Sequence, residues 1–428
     1  MNDRHESGFK ERTRVADALA ELREVLDPVD RTERVPVTGG VGRVLAEDVR
    51  AHRPVPHYDR AAMDGYAVRA ADTFGASDRS PEVLRAEESP GPGRAVRVHT
   101  GSELPAGADA VVRVEDTERR GEDLDVTAAV AAGENVAPAG EDVAADETVL
   151  AAGHRLRHSD LGLCKAVGRS RVSVVERPTV GVVPTGEELV DADPDPGEVV
   201  ETNGLTVASF VERWGGKPTY RDVVDDARHA LRAAVERDLT KDLVVTTGGT
   251  SVGERDLLPE VVDDLGEVRV HGLGLKPGYP AGFGVVRETP VLLLPGYPVS
   301  CLVTAFVLGR PAVKRLGRLP LEPHPGTDAE LSAKIASEVG VRTYARVALD
   351  GSRETDAAAD GADLDVETAD DGPGERVAAL PTADPVHTAG AGVMSSVAAA
   401  DGWVVVPESR EGIPAGERVA VQHWEFQP

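Results

Sequence analysis

No window of about 18 uninterrupted apolar residues occurs in the 428-residue chain, which argues against a helical membrane span. The N-terminal stretch "MNDRHESGFKERTRVADALAEL" is charged and helical in period, which is not how a secretory leader is built. Cysteine is nearly missing. Cys164 and Cys301 lie far apart, each in an apolar helical context. They read as buried thiols in a reducing compartment, with a disulfide or a metal pair a poor second. These features together point to the cytoplasm. Lysine is scarce as well: most of the 47 cations are arginine, against 74 acids, for a formal net charge of −27. Such a surface repels nucleic acid and anionic membranes. The acids are spread along the whole chain, so we read them as hydration for a halophilic protein in a salty cytoplasm. Any anionic substrate must then be held by local positive features.

The length suggests roughly three domains. Val15 to Val25 reads as a short amphipathic helix. Short valine-rich runs ("AVRVHT", "ADAVVRVED", "DLDVTAAV") then alternate with Gly/Pro turns, which is β-domain patterning. "HSDLGLCKAVG" resumes helix, with Ser159 as N-cap and Gly168 as stop. We therefore expect a discontinuous domain of residues 8–52 and 143–176 carrying a β-rich insertion, 53–142. From Pro178, "TVGVVPTGEEL", "DLVVTTGGTSVG" and "TPVLLLPGYPVS" are apolar runs that end in Gly/Pro loops and lead toward helices. That alternation predicts a three-layer α/β domain, residues 177–318, with its loops gathered at the carboxyl ends of parallel strands. Short strands return over 319–428, a small C-terminal β domain of barrel type. The acidic low-complexity stretch Glu354 to Glu375 reads as a solvated hairpin loop. The fold class is multidomain, α/β plus β.

In "DLVVTTGGTSVGERD", Gly248, Gly249 and Gly253 remove side chains so that backbone N–H groups can converge on an oxyanion. Thr250 and Ser251 add hydroxyls, and Asp256 could hold a divalent cation beside a phosphate. A strand-to-helix turn that needs glycine for shape explains the same loop about equally well. The P-loop lysine is missing and the spacing is not that of a dinucleotide fingerprint. Lys276, locked in "GLKPGYPAGFG", suits anion binding better than a solvated surface. Glu187 and Glu188 in "PTGEEL" suit a metal ligand, a base, or the first turn of a helix. Asp64 in "AAMDGYAVR" reads locally as an ordinary Asp-Gly turn.

Taken in order, "AAMDGYAVR", "HTGSELPAGADAVVRVED", "AGEDV", "PTGEEL", "ETNGL", "GGTSVGERD", "LKPGYPAGFG", "LLLPGYPVS" and "GVMSSVAAADGWVVVP" resemble the molybdopterin molybdenumtransferase family, which includes MoeA and the C-terminal domain of gephyrin. The resemblance runs from about Val15 to the C-terminus. It implies a Mg²⁺-dependent homodimer that inserts molybdate into adenylylated molybdopterin and releases AMP. The molybdopterin adenylyltransferase comes into view as a further partner. By resemblance Asp64, Thr100, Asp142 and Glu188 are functional positions of the first three domains. Ser251 and Lys276 lie near molybdate and phosphate, Arg342 and Arg346 form a basic strand, and Ser395 and Ser396 close the oxyanion pocket. Ser300, in "PGYPVS", joins the substrate-binding set. Asp256 and Glu201 would bind Mg²⁺.

Three departures stand out. Tyr279 replaces a lysine of "KPGKP", Ala137 replaces an arginine in "NVAPAGED", and Tyr297 replaces the asparagine of "PGNPVS". Two cations lost from an anion site would cost about 1–3 kcal/mol each. A tungstate-preferring paralogue, a non-catalytic pterin-binding scaffold and a Mg²⁺-dependent nucleotide hydrolase therefore stay open beside the transferase.

Overall fold

The structure, a computed structural model, describes residues 12–249, 257–350, 380–386 and 394–425. It divides into two compact units: Arg31–Val175, and the described residues of Met1–Asp30 with Glu176–Pro428. The loop expected over Glu354 to Glu375 lies outside the described residues.

In the first unit a six-stranded sheet runs in the order Ala110–Arg113, Gly65–Val68, Arg94–Val98, Glu82–Ala86, Asp123–Val126, Thr117–Arg120. All neighbours are antiparallel except Glu82–Ala86 with Arg94–Val98. Tyr66, Val68, Leu84, Val112, Leu124 and Val126 form its core. Around it, Thr32–Pro36 pairs with Arg171–Val175 and Val49–Arg50 with Thr148–Leu150. Helix His158–Ala166 packs there through Cys164. Ser159 does not cap this helix; the Asp160 carboxylate accepts from the Arg157 N–H at 2.7 Å and does that work.

In the second unit the sheet order is Lys217–Tyr220, Thr179–Pro184, Leu243–Thr247, Thr289–Leu294, Gly282–Val286, Glu267–His271. The first four strands are parallel and the last two antiparallel. Their apolar runs serve two faces by strict alternation. Val180, Val182, Leu243, Val245, Leu292 and Leu294 pack toward helices Asn203–Arg213 and Pro298–Thr304. Val183, Val244, Val291 and Leu293 pack toward Arg228–Asp238 and Leu257–Leu265. Each such side chain contributes roughly 1.5–3 kcal/mol of burial.

Helix Val15–Val25 corrects the expected domain boundary. Its Val15, Ala18 and Leu22 belong to the core of the α/β domain, not to that of 31–52 and 143–175. An amphipathic stripe tells that a helix docks, not onto what.

Strands Gly326–Leu331, Arg342–Asp350, Thr382–Pro385, Gly402–Val406 and Arg418–Gln422 close into a five-stranded barrel through the antiparallel pairing of Arg342–Asp350 with Gly402–Val406. Short strand Leu275–Lys276 leaves the α/β domain and pairs in parallel with Arg342–Thr343. All three tryptophans gather at this junction: Trp403 and Trp424 lie 5.1 Å apart, and Trp214 stacks on Phe210 at 5.4 Å. Phe306 contacts all three. This cluster fixes the barrel against the α/β domain and so fixes what Lys276 and Arg342 present.

Candidate functional site

Because four strands run parallel, their trailing loops emerge on one side, and backbone bonds stitch those loops together. Thr185 N–H donates to the Thr247 carbonyl at 3.0 Å, Gly186 N–H to Val224 at 3.1 Å, and Gly248 N–H to Leu294 at 3.0 Å. The Asn203 side-chain amide donates to the Gly296 carbonyl at 2.6 Å. Gly248 stands at φ +113, and a Cβ there would lie 2.2 Å from the Thr185 carbonyl oxygen. Glycine is therefore required for the strand ends to approach. Gly249 follows at φ +63. Thr250, Ser251, Gly253 and Asp256 lie outside the described residues.

A residue that sequence reasoning passed over sits among these loops. Among the described residues, one carboxylate oxygen of Asp226 is buried without a hydrogen-bond partner, as are the hydroxyls of Thr185 and Thr247. Burial, then the carboxylates of Glu188, Glu187 and Asp225, push the Asp226 carboxyl above its ordinary value. Glu188 also comes within reach of Gly186, whose Cβ would meet its carboxylate at 2.8 Å. A half-buried acid with one oxygen fully enclosed and other acids around it asks for a cation. The available donors are hard oxygens, which suit Mg²⁺: that ion uses one or two carboxylates and completes its shell with water and phosphate. Among the described residues no group of three or more His, Cys, Asp or Glu forms a ready-made metal cage.

Glu201 has a different place from the one expected. It is 6% exposed. Its carboxylate accepts from Gly204 N–H at 2.6 Å, Leu205 N–H at 3.4 Å and the Tyr220 hydroxyl. It braces the start of helix Asn203–Arg213, so its oxygens are engaged by these donors, whereas the enclosed oxygen of Asp226 is not. Burial and Glu201 raise the Tyr220 phenol, which keeps its proton and its bond.

Lys276 is exposed, and among the described residues it makes no ion pair. Its loop is wedged against the helix that follows "PGYP": a Cβ on Gly278 would lie 2.5 Å from the Thr304 methyl. Ser300 is buried in the first turn of that same helix. On the neighbouring barrel strand Arg342 pairs with Glu408 at 3.4 Å, while Arg346 donates to Ser396 Oγ at 2.5 Å. Ser396 is buried and Ser395 exposed. The cation expected at 279 is partly restored: Arg12 lies over the Tyr279 ring at 5.0 Å, although Glu338 holds it at 3.2 Å.

The first unit holds a second cluster. Asp64 Oδ1 accepts from the Thr100 N–H at 2.6 Å and its hydroxyl at 2.8 Å, which holds the carboxyl below its ordinary value. Gly65 is needed because a Cβ there would lie 1.9 Å from the Val112 carbonyl oxygen. Asp64 is thus more than a turn residue. Thr100 lines a cleft of about 370 Å³ with Arg60, Asn135, Ala137 and Glu141. Ala137 pairs directly across from Arg60, so a guanidinium stands opposite the position that lacks one. Asp142 is exposed, its N–H bonded to the Val55 carbonyl at 2.9 Å.

Family models fit this order of parts. The MoeA N-terminal region (domains I and II) matches residues 13–168, the probable molybdopterin-binding domain 181–315, and the MoeA C-terminal region (domain IV) 375–424. Molybdopterin molybdenumtransferase 2 of Mycobacterium tuberculosis is 34% identical over 351 residues, 78% of this chain and 86% of that one. The chain belongs to the MoeA family. A MoeA crystal structure from Pyrococcus horikosii superposes with a TM-score of 0.79 at 32% identity, covering 97% of this chain and all of that one. Molybdopterin molybdenumtransferase of Bacillus subtilis is 36% identical over 240 residues, spanning 52% of this chain and 56% of that protein. The MoeA fold therefore accounts for both units, the α/β domain and the closed barrel.

Proposed function

We propose that this MoeA-family chain is a Mg²⁺-dependent molybdopterin molybdenumtransferase, taking adenylylated molybdopterin and molybdate and releasing AMP. The observation that carries the reading is Asp226: a carboxylate oxygen buried and, among the described residues, unbonded, beside acidic loops at the ends of four parallel strands. Asp226 with the Thr185 and Thr247 hydroxyls would hold Mg²⁺, and the ion when bound would neutralise charge at the phosphoanhydride. Gly248 and Gly249 let the backbone approach the anion, while Lys276 and Arg346 supply positive charge and Ser396 orients the arginine. Asp64 and Thr100 form a second polar pair, which we assign to the reaction because its hydrogen bonds hold an ionised carboxylate in one orientation.

We further propose a cytoplasmic homodimer that receives its substrate from a molybdopterin adenylyltransferase. No described helix is long and apolar enough to cross a membrane. The test is to give purified full-length protein adenylylated molybdopterin, Mg²⁺, and molybdate or tungstate. The reading expects AMP release that needs Mg²⁺, and active cofactor transferable to an apo-molybdoenzyme. AMP release with neither oxyanion added, at the same rate, would instead mark a hydrolase.

A further inference from the structure

The first unit carries a concavity that the proposed reaction does not use. A cleft of about 380 Å³ is lined by Arg34, Arg50, Arg169 and Arg171, with Ser173 among them. Strand pairing explains why they converge. Arg34 sits directly across from Ser173, and Arg171 is two residues before it, so all three share one face. The alternate residues Val172 and Val174 turn into the core. Arg50 follows the buried Val49 on a second short strand, and Arg169 closes the end.

Two of the four guanidiniums are already aimed. Arg171 donates to the Arg34 carbonyl at 2.5 Å, and Arg169 to the Arg50 carbonyl at 2.8 Å, leaving their remaining N–H groups for a ligand. Among the described residues none of the four has a carboxylate within ion-pair distance. That is unexpected in a chain with 74 acids against 47 cations. Several arginines elsewhere are matched, as Arg43 is by Glu33, Arg157 by Asp160 and Arg410 by Glu417, whereas here four unmatched ones line a single cleft. The nearby acids do not cancel the cluster. Glu47 and Asp48 line the rim, and Asp48 is engaged by the Ala152 N–H at 2.9 Å. Four guanidiniums against these two carboxylates leave a surplus of two positive charges.

We propose that this arginine cleft is a second anion site that binds a diphosphate-bearing small molecule. Its occupant carries at least two negative charges, to match the surplus. It is a phosphate species because planar guanidinium forks pair bidentately with such oxygens, and Ser173 adds a hydroxyl between two of them. The site stands independently of the Asp226 loops, since none of its residues belongs to that unit.

The test is calorimetric titration of the full-length chain with inorganic pyrophosphate at fixed ionic strength, in chelator and without Mg²⁺. Orthophosphate, ATP and citrate are run in parallel. Pyrophosphate or ATP should bind, and the Arg34→Gln/Arg171→Gln pair should weaken binding about tenfold or more. Arg171→Lys, which keeps charge but loses the fork, should fall between. The same heats should survive Lys276→Gln. ATP binding with pyrophosphate also binding supports a free diphosphate group as the feature read; ATP alone supports a nucleotide. Citrate binding as tightly as pyrophosphate overturns the phosphate assignment. Arginine variants that bind like wild type, or that change only the oligomeric state by light scattering while wild type binds no pyrophosphate, overturn the site. Circular dichroism confirms that each variant is folded.

Discussion

Asp64 Oδ1 receives two hydrogen bonds from a single residue, the main-chain N–H and the hydroxyl of Thr100, at 2.6 and 2.8 Å. The pair locks an exposed carboxylate in one orientation and holds it ionised. Thr100→Val keeps the backbone bond and loses the hydroxyl. It should raise the Asp64 carboxyl toward its ordinary value, seen by NMR titration, and lower AMP release several-fold. Thr100→Ser should restore both. Full activity in the valine variant removes the pair from the reaction.

Gly248→Ala tests the close approach of strand ends. The added Cβ would meet the Thr185 carbonyl oxygen at 2.2 Å, at a φ of +113. We expect a loss of at least about 2 kcal/mol in denaturant unfolding, with activity abolished. Gly197→Ala, also at positive φ but with open space around its Cβ, should be far milder.

On the barrel, Ser396→Ala takes the acceptor from the Arg346 guanidinium, whose charge is already disfavoured by burial. Removing it should cost about 1–3 kcal/mol of stability. It should also raise the molybdate KM more than it lowers kcat, because the arginine loses its orientation and not its charge. Equal falls in kcat and kcat/KM would place Ser396 in the transition state instead.

The sequence carried some of this and hid the rest for physical reasons. Apolar runs ending in "PTGEEL", "TTGGT" and "LLLPGYP" announced parallel strands with loops on one side, because burial on both faces of a sheet leaves a solid hydrophobic run. The short C-terminal strands announced a small β domain, which closes as a barrel. Asp226 was illegible: "VVDDARHAL" reads as the acidic approach to a helix, and only strand order brings it beside Thr185. The bracing role of Glu201 was hidden for the opposite reason, since only the structure shows that an acid three residues before Gly204 holds the start of a helix. Arg60 could not be tied to Ala137 without the strand register.

The central claim is that Asp226 carries a strained charge that Mg²⁺ relieves. The sign of the linkage follows from its raised carboxyl. An acid whose folded pKa exceeds the unfolded one penalises the fold once it ionises. Stability from this group is therefore lost as pH rises from the unfolded through the folded value, and recovered below. Mg²⁺ binding should weaken as pH falls through that raised value, because protons and metal compete for one oxygen.

The direct measurement is thermal unfolding of wild type and Asp226→Asn at neutral pH, with and without Mg²⁺. Metal-free Asp226→Asn should be more stable than metal-free wild type, and Mg²⁺ should raise the Tm of wild type alone. A variant destabilised without metal, or one that Mg²⁺ stabilises as strongly as wild type, would contradict the claim.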